Sequence, residues 1–245
     1  MKKALGLFAL IVLIGTLFCQ DRAKEAAKTE VWEPVPEKVT PGDQTAPPSD
    51  AIILFDGTDL SAWRDKDGNT PKWKLEDGAM TVVKDGGSIF TRQGFGDCQL
   101  HVEFRIPVEK SGKGQDKGNS GVFLQNRYEV QVLDSYENET YVNGQAGAIY
   151  KQYIPMVNAC RPPGEWQSYD IIFTAPRFNE DKTLKTPGYM TVLHNGVLIH
   201  NRAELKGNTS WSGQPKYEFH SMEEPIQLQD HSHPVSYRNI WLREL

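Results

Sequence analysis

The sequence predicts an all-β protein built as a β-sandwich or a barrel. From residue 51 to the C-terminus, short apolar segments recur, and several alternate apolar and polar residues as strands with one buried face do. Asp-Gly and Asn-Gly pairs separate these segments and are typical of hairpin turns. No long amphipathic helical pattern accompanies them, so a βαβ repeat is not predicted.

Residues 1–19 have the composition of an export signal. Two lysines precede an apolar run over residues 4–18, which is short for a membrane span, and Cys19 follows directly. This end resembles a bacterial lipoprotein signal, in which the lipidated cysteine tethers the protein to a membrane surface. Phe18 stands where a small residue is usual, which leaves ordinary secretion and an uncleaved anchor as alternatives. We expect an exported protein, periplasmic or at the outer membrane surface, with a lipid anchor on Cys19.

The rest of the chain divides into a linker and one domain. Residues 20–49 are rich in proline and charge and lack a periodic apolar face, as flexible linkers do. Residues 50–245 carry the strand patterns and are numerous enough to bury one sizeable core. We therefore predict a single β-sandwich domain behind a flexible linker.

The composition excludes some partners. The 245-residue chain has a formal net charge of -5 and no run of lysine and arginine, which argues against a nucleic-acid partner. No Gly-x-Gly-x-x-Gly motif lies between a strand and a helix, so no dinucleotide cofactor is predicted. Cys98 and Cys160 could pair in an oxidising compartment, but nothing in the sequence brings them together.

The strand predicted over residues 98–107 alternates strictly, which indicates a half-buried strand. It follows two strand pairs with Asp-Gly turns at residues 56–57 and 77–78. Its apolar face consists of Leu100, Val102, Phe104 and Ile106, and its polar face of Gln99, His101, Glu103 and Arg105. The polar face is typical of a solvated surface, and it would gain interest only beside the candidate site.

Residues 118–134 contain the candidate site strand, which a Gly/Asn/Ser turn precedes. The apolar face of this strand consists of Tyr128, Val130 and Val132. Glu129 and Gln131 share the opposite face, and Asp134 joins them only if a bulge near residues 132–133 shifts the alternation. By itself this pattern favours an edge strand with a solvated outer face over a catalytic strand.

The long segment over residues 135–166 predicts an elaborate functional loop. It is rich in asparagine, glycine, proline and aromatic residues, with one short strand expected at residues 148–150. Further strands are predicted within residues 165–178, 189–205 and 236–245, with a tight turn at residues 194–196.

Residues 225–238 predict a strand followed by a turn that holds Asp230, His231 and His233. Zinc-motif spacings are absent, so the metal signal is weak. An aspartate beside a histidine is typical of an oriented imidazole that transfers protons near neutral pH. The alternative is an aspartate that caps its own turn. Arg238 adds a planar, cationic donor on the next strand.

Four motifs stand out along the domain. They are LFDGTDLSAWR at residues 54–64, GNSGVFLQNRYEVQVLDS at 118–135, GAIY with PPGEWQSYDI at 147–150 and 162–171, and LQDHSHPVSYRNIWLR at 228–243. Together they resemble the bacterial family labelled 3-keto-disaccharide hydrolase, formerly a domain of unknown function. The resemblance covers residues 51–245. It implies a jelly-roll β-sandwich of the concanavalin A-like lectin/glucanase type, with a concave sugar-binding face.

A second resemblance lies inside the central strand. Glu129, Gln131 and Asp134 have the spacing of the Glu-x-Asp-x-x-Glu strand of laminarinase and lichenase-type glucanases, whose outer carboxylates are nucleophile and acid/base. The shorter last residue would withdraw its carboxyl further than catalytic geometry tolerates, which puts ordinary retaining hydrolysis in doubt. Glu224 and Ser232 also depart from the 3-keto family, which has glycines at these positions.

The family label implies an elimination. A ketone at C3 of a sugar acidifies the proton at C2, so a base can remove it, the C1 oxygen is expelled, and water then adds. Such a route needs a base and a group that stabilises the enolate. The candidate bases are Glu129 and His231. The candidate stabilisers are Gln131, Arg238, Tyr150 and a bound divalent cation, although the sequence itself predicts no cofactor.

The predicted site combines two sets of residues. The catalytic set consists of Glu129, Gln131, Asp134 and His231, and the substrate-binding set of Asn119, Arg127, Tyr150, Trp166, Asp230, His233 and Arg238. The resemblance implies an enzyme that cleaves the glycosidic bond of 3-keto-glycosides or 3-keto-disaccharides. Because the chain carries no cofactor motif for the oxidation, we expect a separate sugar 3-oxidoreductase upstream.

Two alternatives belong to other classes. A non-catalytic carbohydrate-binding module would use aromatic stacking platforms, for which the sequence offers Tyr136, Tyr141, Tyr150, Tyr153, Trp166 and Tyr169. A conventional glucanase would use Glu129 and Asp134.

Overall fold

The computed structural model describes residue 22 and residues 24–43, 45–108 and 111–245. The predicted export signal and its Cys19 lie outside the described residues. The chain divides into two units, Met1–Val39 and Thr40–Leu245. The described residues of the first unit are exposed, and residues 24–27 are helical. Within the described ranges, no helix has the length and apolar character needed to cross a membrane.

The described residues of the second unit form short strands and one 3-10 helix. In chain order these are β1 (Ile52–Phe55), β2 (Trp63–Arg64), β3 (Lys74–Glu76), β4 (Ala79–Thr81), β5 (Ile89–Phe95), β6 (Cys98–Arg105), β7 (Ser120–Leu124), β8 (Tyr128–Val132), the 3-10 helix (Val142–Gly144), β9 (Trp166–Thr174), β10 (Arg177–Phe178), β11 (Leu184–Thr186), β12 (Tyr189–His194), β13 (Val197–Glu204), β14 (Glu224–Leu228) and β15 (Ser236–Glu244).

These strands form two main antiparallel sheets. The larger sheet has the order β13-β12-β9-β6-β15-β4-β3, with β1 also paired to β15, and the smaller has the order β2-β5-β14-β7-β8. A separate ribbon joins β10 to β11. Strands far apart in sequence are neighbours, such as β15 between β6 and β4, as expected for a jelly roll. The predicted jelly-roll β-sandwich is confirmed.

The hydrophobic core lies between the two sheets. The predicted apolar face of β6 is fully buried there, and so is the predicted apolar face of β8. Contact between the sheets is direct, since the ring of Tyr128 on β8 lies 5.8 Å from that of Phe173 on β9. Fully burying a side chain of this size stabilises the fold by about 1.5–3 kcal/mol. Cys98, in this core, and Cys160 are free thiols.

The polar face of β6 differs from its prediction in its middle, where two residues are buried, while Gln99 and Arg105 stay partly exposed. His101 is 2% exposed and Glu103 is 6% exposed. The indole of Trp241 stacks on His101 at 5.1 Å, and Arg238 donates to the Glu103 carboxylate. Strand β6 lies between β9 and β15, and long side chains on these neighbours cover its polar face. The alternation of β6 alone does not reveal this cover.

Strand β8 is the edge of the smaller sheet, but its edge is not solvated. The backbone of the long loop pairs with it: Gln131 N donates to Ala148 O, and Tyr150 N donates to Glu129 O. In place of the short strand predicted at residues 148–150, Ile149 forms isolated β-bridges to Val130 and to Tyr153. All five residues of β8 are therefore buried, and the predicted solvated outer face is wrong.

Candidate active site

Strand β8 places Glu129 and Gln131 side by side on the outer face of the smaller sheet, as its alternation predicts. Its pairing with β7 runs without a register shift from Ser120 opposite Val132 to Leu124 opposite Tyr128. The expected bulge is absent from this pairing, because the strand ends at Val132.

A cavity of about 340 Å³ opens above these two side chains. It is lined by Asn119, Phe123, Glu129, Gln131, Tyr150, Thr209, Trp211, Gln229 and His231. Five predicted site residues thus meet at one place, although they come from the turn before β7, from β8, from the long loop and from the C-terminal turn. A volume of this size accommodates a single sugar ring and part of its neighbour.

The carboxyl of Glu129 is buried without a partner. The residue is 4% exposed, and within the described ranges its side chain accepts no hydrogen bond and forms no ion pair. Burial raises its pKa from 4.5 to about 8. A carboxylate with such a pKa is a stronger base than an ordinary glutamate and changes its charge near neutral pH.

Gly121 on β7 makes room for this carboxyl. A Cβ atom at this position would lie 2.6 Å from Glu129 Oε1 and 2.8 Å from the ring of Phe123. Any side chain here would push the carboxyl aside, so the glycine of the GNSG motif serves the site through its size.

The amide of Gln131 is held in one orientation. Its Nε2 donates to Gln115 Oε1 at 3.0 Å and to Gly144 O at 3.3 Å, and a backbone carbonyl can only accept. Both amide hydrogens are therefore engaged. The arrangement does not support the predicted role of Gln131 as a donor to an enolate, and the atom left over is the acceptor Oε1.

Asp134 lies outside the cavity. It is 1% exposed, and its Oδ2 lies 2.9 Å from Lys117 Nζ while Oδ1 accepts from Tyr136 N. Without the bulge, the side chain points to the loop after β8. The conventional glucanase alternative therefore lacks its second carboxylate beside Glu129.

Asp230 caps its own turn and does not orient a histidine. Its Oδ1 accepts from Ser232 N at 2.8 Å and its Oδ2 accepts from Gly87 N at 2.8 Å. Ser232 has a φ of 66°, a conformation that favours glycine and explains why a glycine fits the family pattern there. The prediction that Asp230 holds the imidazole of His231 is corrected to the capping alternative.

The two histidines of this turn have different surroundings. His231 is exposed and lines the cavity. His233 Nδ1 accepts from Gly118 N at 3.3 Å, so this ring supports the turn that precedes β7. Their rings are nearly parallel, with centroids 6.3 Å apart.

Three predicted substrate-binding residues lie elsewhere. Arg238 and Trp166 are on the larger sheet, where the guanidinium group lies 4.1 Å from the indole centroid and donates to Glu103 at 2.6 Å. Arg127 donates to the carbonyl of Gln125 and does not line the cavity. The prediction for Arg238 failed because the chain passes from the smaller sheet at β14 to the larger one at β15.

A second polar cluster surrounds Glu103 on the larger sheet. Burial alone would lower the pKa of His101, but the carboxylates of Asp170, at 2.7 Å, and Glu103 outweigh it and raise the pKa to about 9. Burial likewise opposes the charge of Glu103, but the nearby His101 imidazole, at 3.8 Å, and hydrogen bonds from Asn239 and Arg238 lower its pKa to about 2. These opposite charges satisfy one another, as in a structural network.

Sequence reasoning missed the segment between β13 and β14, which supplies Thr209 and Trp211. Glu129 N donates to Thr209 Oγ1 at 3.0 Å, and Lys151 Nζ donates to Trp211 O at 2.6 Å, so the segment is fastened over the cavity. Trp211 is 79% exposed. The sequence signal for this segment was a tryptophan among serine and glycine residues. An aromatic residue in such a polar loop does not belong to a core, which indicates a binding role.

The described residues contain no group of three or more His, Cys, Asp and Glu side chains arranged to hold a metal ion. The described residues that line the cavity supply one carboxyl, amides, hydroxyls and an imidazole.

Comparison with known proteins identifies the family. The model of the 3-keto-alpha-glucoside-1,2-lyase-like domain matches residues 50–243. The chain belongs to this family. No curated protein matches the chain.

Members of this fold are found among solved structures of Parabacteroides distasonis ATCC 8503. One, described as a "putative glycosyl hydrolase", is 51% identical, with a TM-score of 0.86, over 89% of this chain and 96% of that chain. Two others with the same description are 21% identical, with TM-scores of 0.59 and 0.56. They cover 80% of this chain and 94% and 99% of their own chains, and they show the fold alone.

Membership of the 3-keto-alpha-glucoside-1,2-lyase-like family confirms the resemblance seen in the four sequence motifs. The family and the 51% identical structure support glycoside-processing activity for this chain.

Proposed function

We propose that the protein is an enzyme that cleaves the glycosidic bond of 3-keto-glycosides by elimination, with Glu129 as the base. The observation that carries this proposal is the unpaired, buried carboxyl at the floor of the cavity, whose pKa is about 8. A retaining or inverting hydrolase needs two carboxyl groups at the scissile bond, and among the described residues that line the cavity Glu129 alone is acidic.

The Glu129 carboxylate takes the proton from C2, and the electron pair of the C–H bond forms an enolate with the C3 ketone. The enolate then expels the C1 oxygen, which leaves with a proton as an alcohol, and the sugar is left as an enone. Addition of water across the C1–C2 double bond gives the free 3-keto sugar.

The other lining groups suit the remaining tasks. The hydroxyl of Tyr150, which also contacts Tyr141 at 2.7 Å, can donate to the enolate oxygen. The imidazole of His231, at the open side of the cavity, can protonate the leaving alcohol. The exposed indole of Trp211 offers an apolar surface for a sugar ring.

The decisive experiment compares p-nitrophenyl 3-keto-α-glucoside with p-nitrophenyl α-glucoside as substrates of the purified full chain. We expect release of nitrophenol from the keto sugar alone, with a primary kinetic isotope effect when C2 carries deuterium. Cleavage of both substrates would favour a conventional glycosidase. Binding of either sugar without cleavage would favour the carbohydrate-binding module.

We also propose that the protein is exported and lipid-anchored through Cys19 and receives its substrate from a separate sugar 3-oxidoreductase. Support comes from the composition of residues 1–19 and from the need for a ketone that this chain has no cofactor motif to make. Replacing Cys19 by serine should move the protein from the membrane fraction to the soluble fraction. An unchanged membrane fraction would contradict the anchor.

A further inference from the structure

We propose that Gln131 determines substrate specificity by accepting a hydrogen bond from a hydroxyl group of the keto sugar. This inference rests on the proposed function, because it names a contact made within the same cavity. It assigns Gln131 to recognition of the substrate and not to stabilisation of the enolate.

The orientation of the Gln131 amide is fixed from behind. Gln115 Nε2 donates to Gly144 O at 2.8 Å and to Thr140 Oγ1 at 2.9 Å, so Gln115 Oε1 must face Gln131. Gln131 Nε2 donates to this oxygen and to the same Gly144 carbonyl. Rotating either amide would place an oxygen against the Gly144 carbonyl oxygen, which neither could satisfy.

This arrangement leaves Gln131 Oε1 as a buried acceptor without a partner. The residue is 1% exposed and lines the cavity, and within the described ranges no donor reaches this oxygen. A buried polar atom is costly to leave unsatisfied, and this oxygen is already unpaired in the free protein. A ligand hydroxyl that reaches this point therefore supplies the hydrogen bond that the oxygen lacks.

The required donor distinguishes between parts of a 3-keto sugar. A ketone or an enolate oxygen only accepts hydrogen bonds, so it cannot pair with Oε1, whereas a ring hydroxyl can. Glu129 and Gln131 are two residues apart on β8, which separates them by about 6.6 Å along the strand. One sugar ring can thus meet the base and the acceptor together.

A site built this way rejects analogues that lack the hydroxyl. Loss of the donor leaves a buried polar atom unpaired in the complex, and discrimination in such sites reaches about 10⁴-fold. An apolar side chain at position 131 removes the acceptor, so the preference for the hydroxyl should vanish with it.

The chain contains a matched control for this test. Gln125 is also 1% exposed, its Nε2 donates to Phe95 O and Met222 O, and its Oε1 lacks a described partner. This amide does not line the cavity. A general effect of losing a buried glutamine would be common to Gln125→Met and Gln131→Met, whereas a change in specificity would belong to Gln131→Met alone.

The experiment measures kcat/KM for p-nitrophenyl 3-keto-α-glucoside and its 2-deoxy, 4-deoxy and 6-deoxy analogues. In the wild type and in Gln125→Met, we expect at least one analogue to be worse than the parent by about a hundredfold or more. In Gln131→Met, that ratio should fall below about tenfold. Gln131→Leu, which also removes the acceptor oxygen, should lose the preference in the same way and provides a second variant if the methionine variant does not fold.

Three outcomes would overturn the proposal. The first is a wild type that treats all four substrates alike, and the second is a Gln131→Met variant with the same preference as the wild type. Either one would leave the proposed elimination intact. The third is a wild type that does not cleave the parent keto sugar, in which case the proposed function fails and the role of Gln131 fails with it.

Discussion

Glu129 occupies a position where a negative charge is costly. Its carboxyl is buried, and no described residue offers it an ion pair, whereas Asp134, five residues further on, is paired with Lys117. A carboxyl kept for structure alone is normally hydrogen-bonded when it is buried. The raised pKa that follows from this isolation is what a base that takes a carbon-bound proton requires.

Replacing Glu129 by glutamine should separate activity from stability. We expect turnover on the keto sugar to fall by about 10²–10⁴-fold, as for loss of a general base. Because the folded-state pKa of Glu129 is raised, wild-type stability is lost as pH rises from 4.5 to about 8. The difference in melting temperature between Glu129→Gln and the wild type should therefore grow in favour of the variant from pH 4.5 to about 8. Above that pH the difference should stay constant.

Asp134→Asn is the control for this change, since it also neutralises a buried acid. It should lower the melting temperature, because Lys117 loses its partner, and it should leave turnover within about tenfold. Near wild-type turnover in Glu129→Gln would show that Glu129 is not the base and that β8 has only a structural role.

At the level of elements, the paired strands β7 and β8 build the floor of the cavity together. β8 supplies the carboxyl and the amide, and β7 supplies the empty space of Gly121 in which the carboxyl lies. The long loop then closes the side of β8 through backbone hydrogen bonds. The position of the base thus depends on the register of two strands and on the absence of one side chain.

Replacing Gly121 by alanine should displace the base. The new Cβ would meet Glu129 Oε1 at 2.6 Å and the Phe123 ring at 2.8 Å, so both side chains must shift. A displacement of about 1 Å in a reacting group can lower the rate about a hundredfold, so kcat should fall by this order in the fraction that folds, and the melting temperature should fall because the Phe123 ring must move as well.

Gly96→Ala is the matched control, because its Cβ would find only ordinary contact, at 3.4 Å from Met222 O. Equal turnover in both variants would exclude the role of Gly121 in positioning Glu129.

The same elements show what the sequence could predict. Period-two alternation correctly predicts which residues of β6 and β8 face the core. It also predicts that Glu129 and Gln131 lie on the same side of β8, because alternation is a local property of a strand. The positions of Arg238 and Trp166 depend on which sheet each strand joins, and local patterns do not encode this. The partner of Asp230 was ambiguous for a similar reason, since a capping aspartate and an orienting aspartate have the same sequence spacing.

At the level of the whole molecule, the compact unit begins before the first strand. Thr45 O accepts hydrogen bonds from Asn239 Nδ2 at 2.8 Å and from Trp241 Nε1 at 3.2 Å, and Asp50 pairs with Arg243. These contacts lie on β15, the strand that β6 and β4 flank in the larger sheet. Residues 45–50 therefore help to cover the sheet that packs behind the cavity.

Truncation should locate this boundary. A chain that begins at Thr40 should keep the full free energy of unfolding. One that begins at Ala51 loses the Asp50–Arg243 ion pair and the two hydrogen bonds to Thr45, the latter worth about 1–3 kcal/mol together. Urea unfolding of the two truncated chains and the full chain measures the difference. Equal stability of all three would show that these contacts contribute nothing.

The loop that pairs with β8 also has a consequence for solubility. An unpaired strand edge is a template on which further copies of a chain can add, and proteins cover such edges to prevent aggregation. Here the cover consists of residues 147–150, which also contribute Tyr150 to the cavity. Proteolytic cleavage or unfolding of this loop would therefore expose the edge of β8 for pairing with other copies and remove part of the site. The molecules that lose activity in this way would be the ones that aggregate.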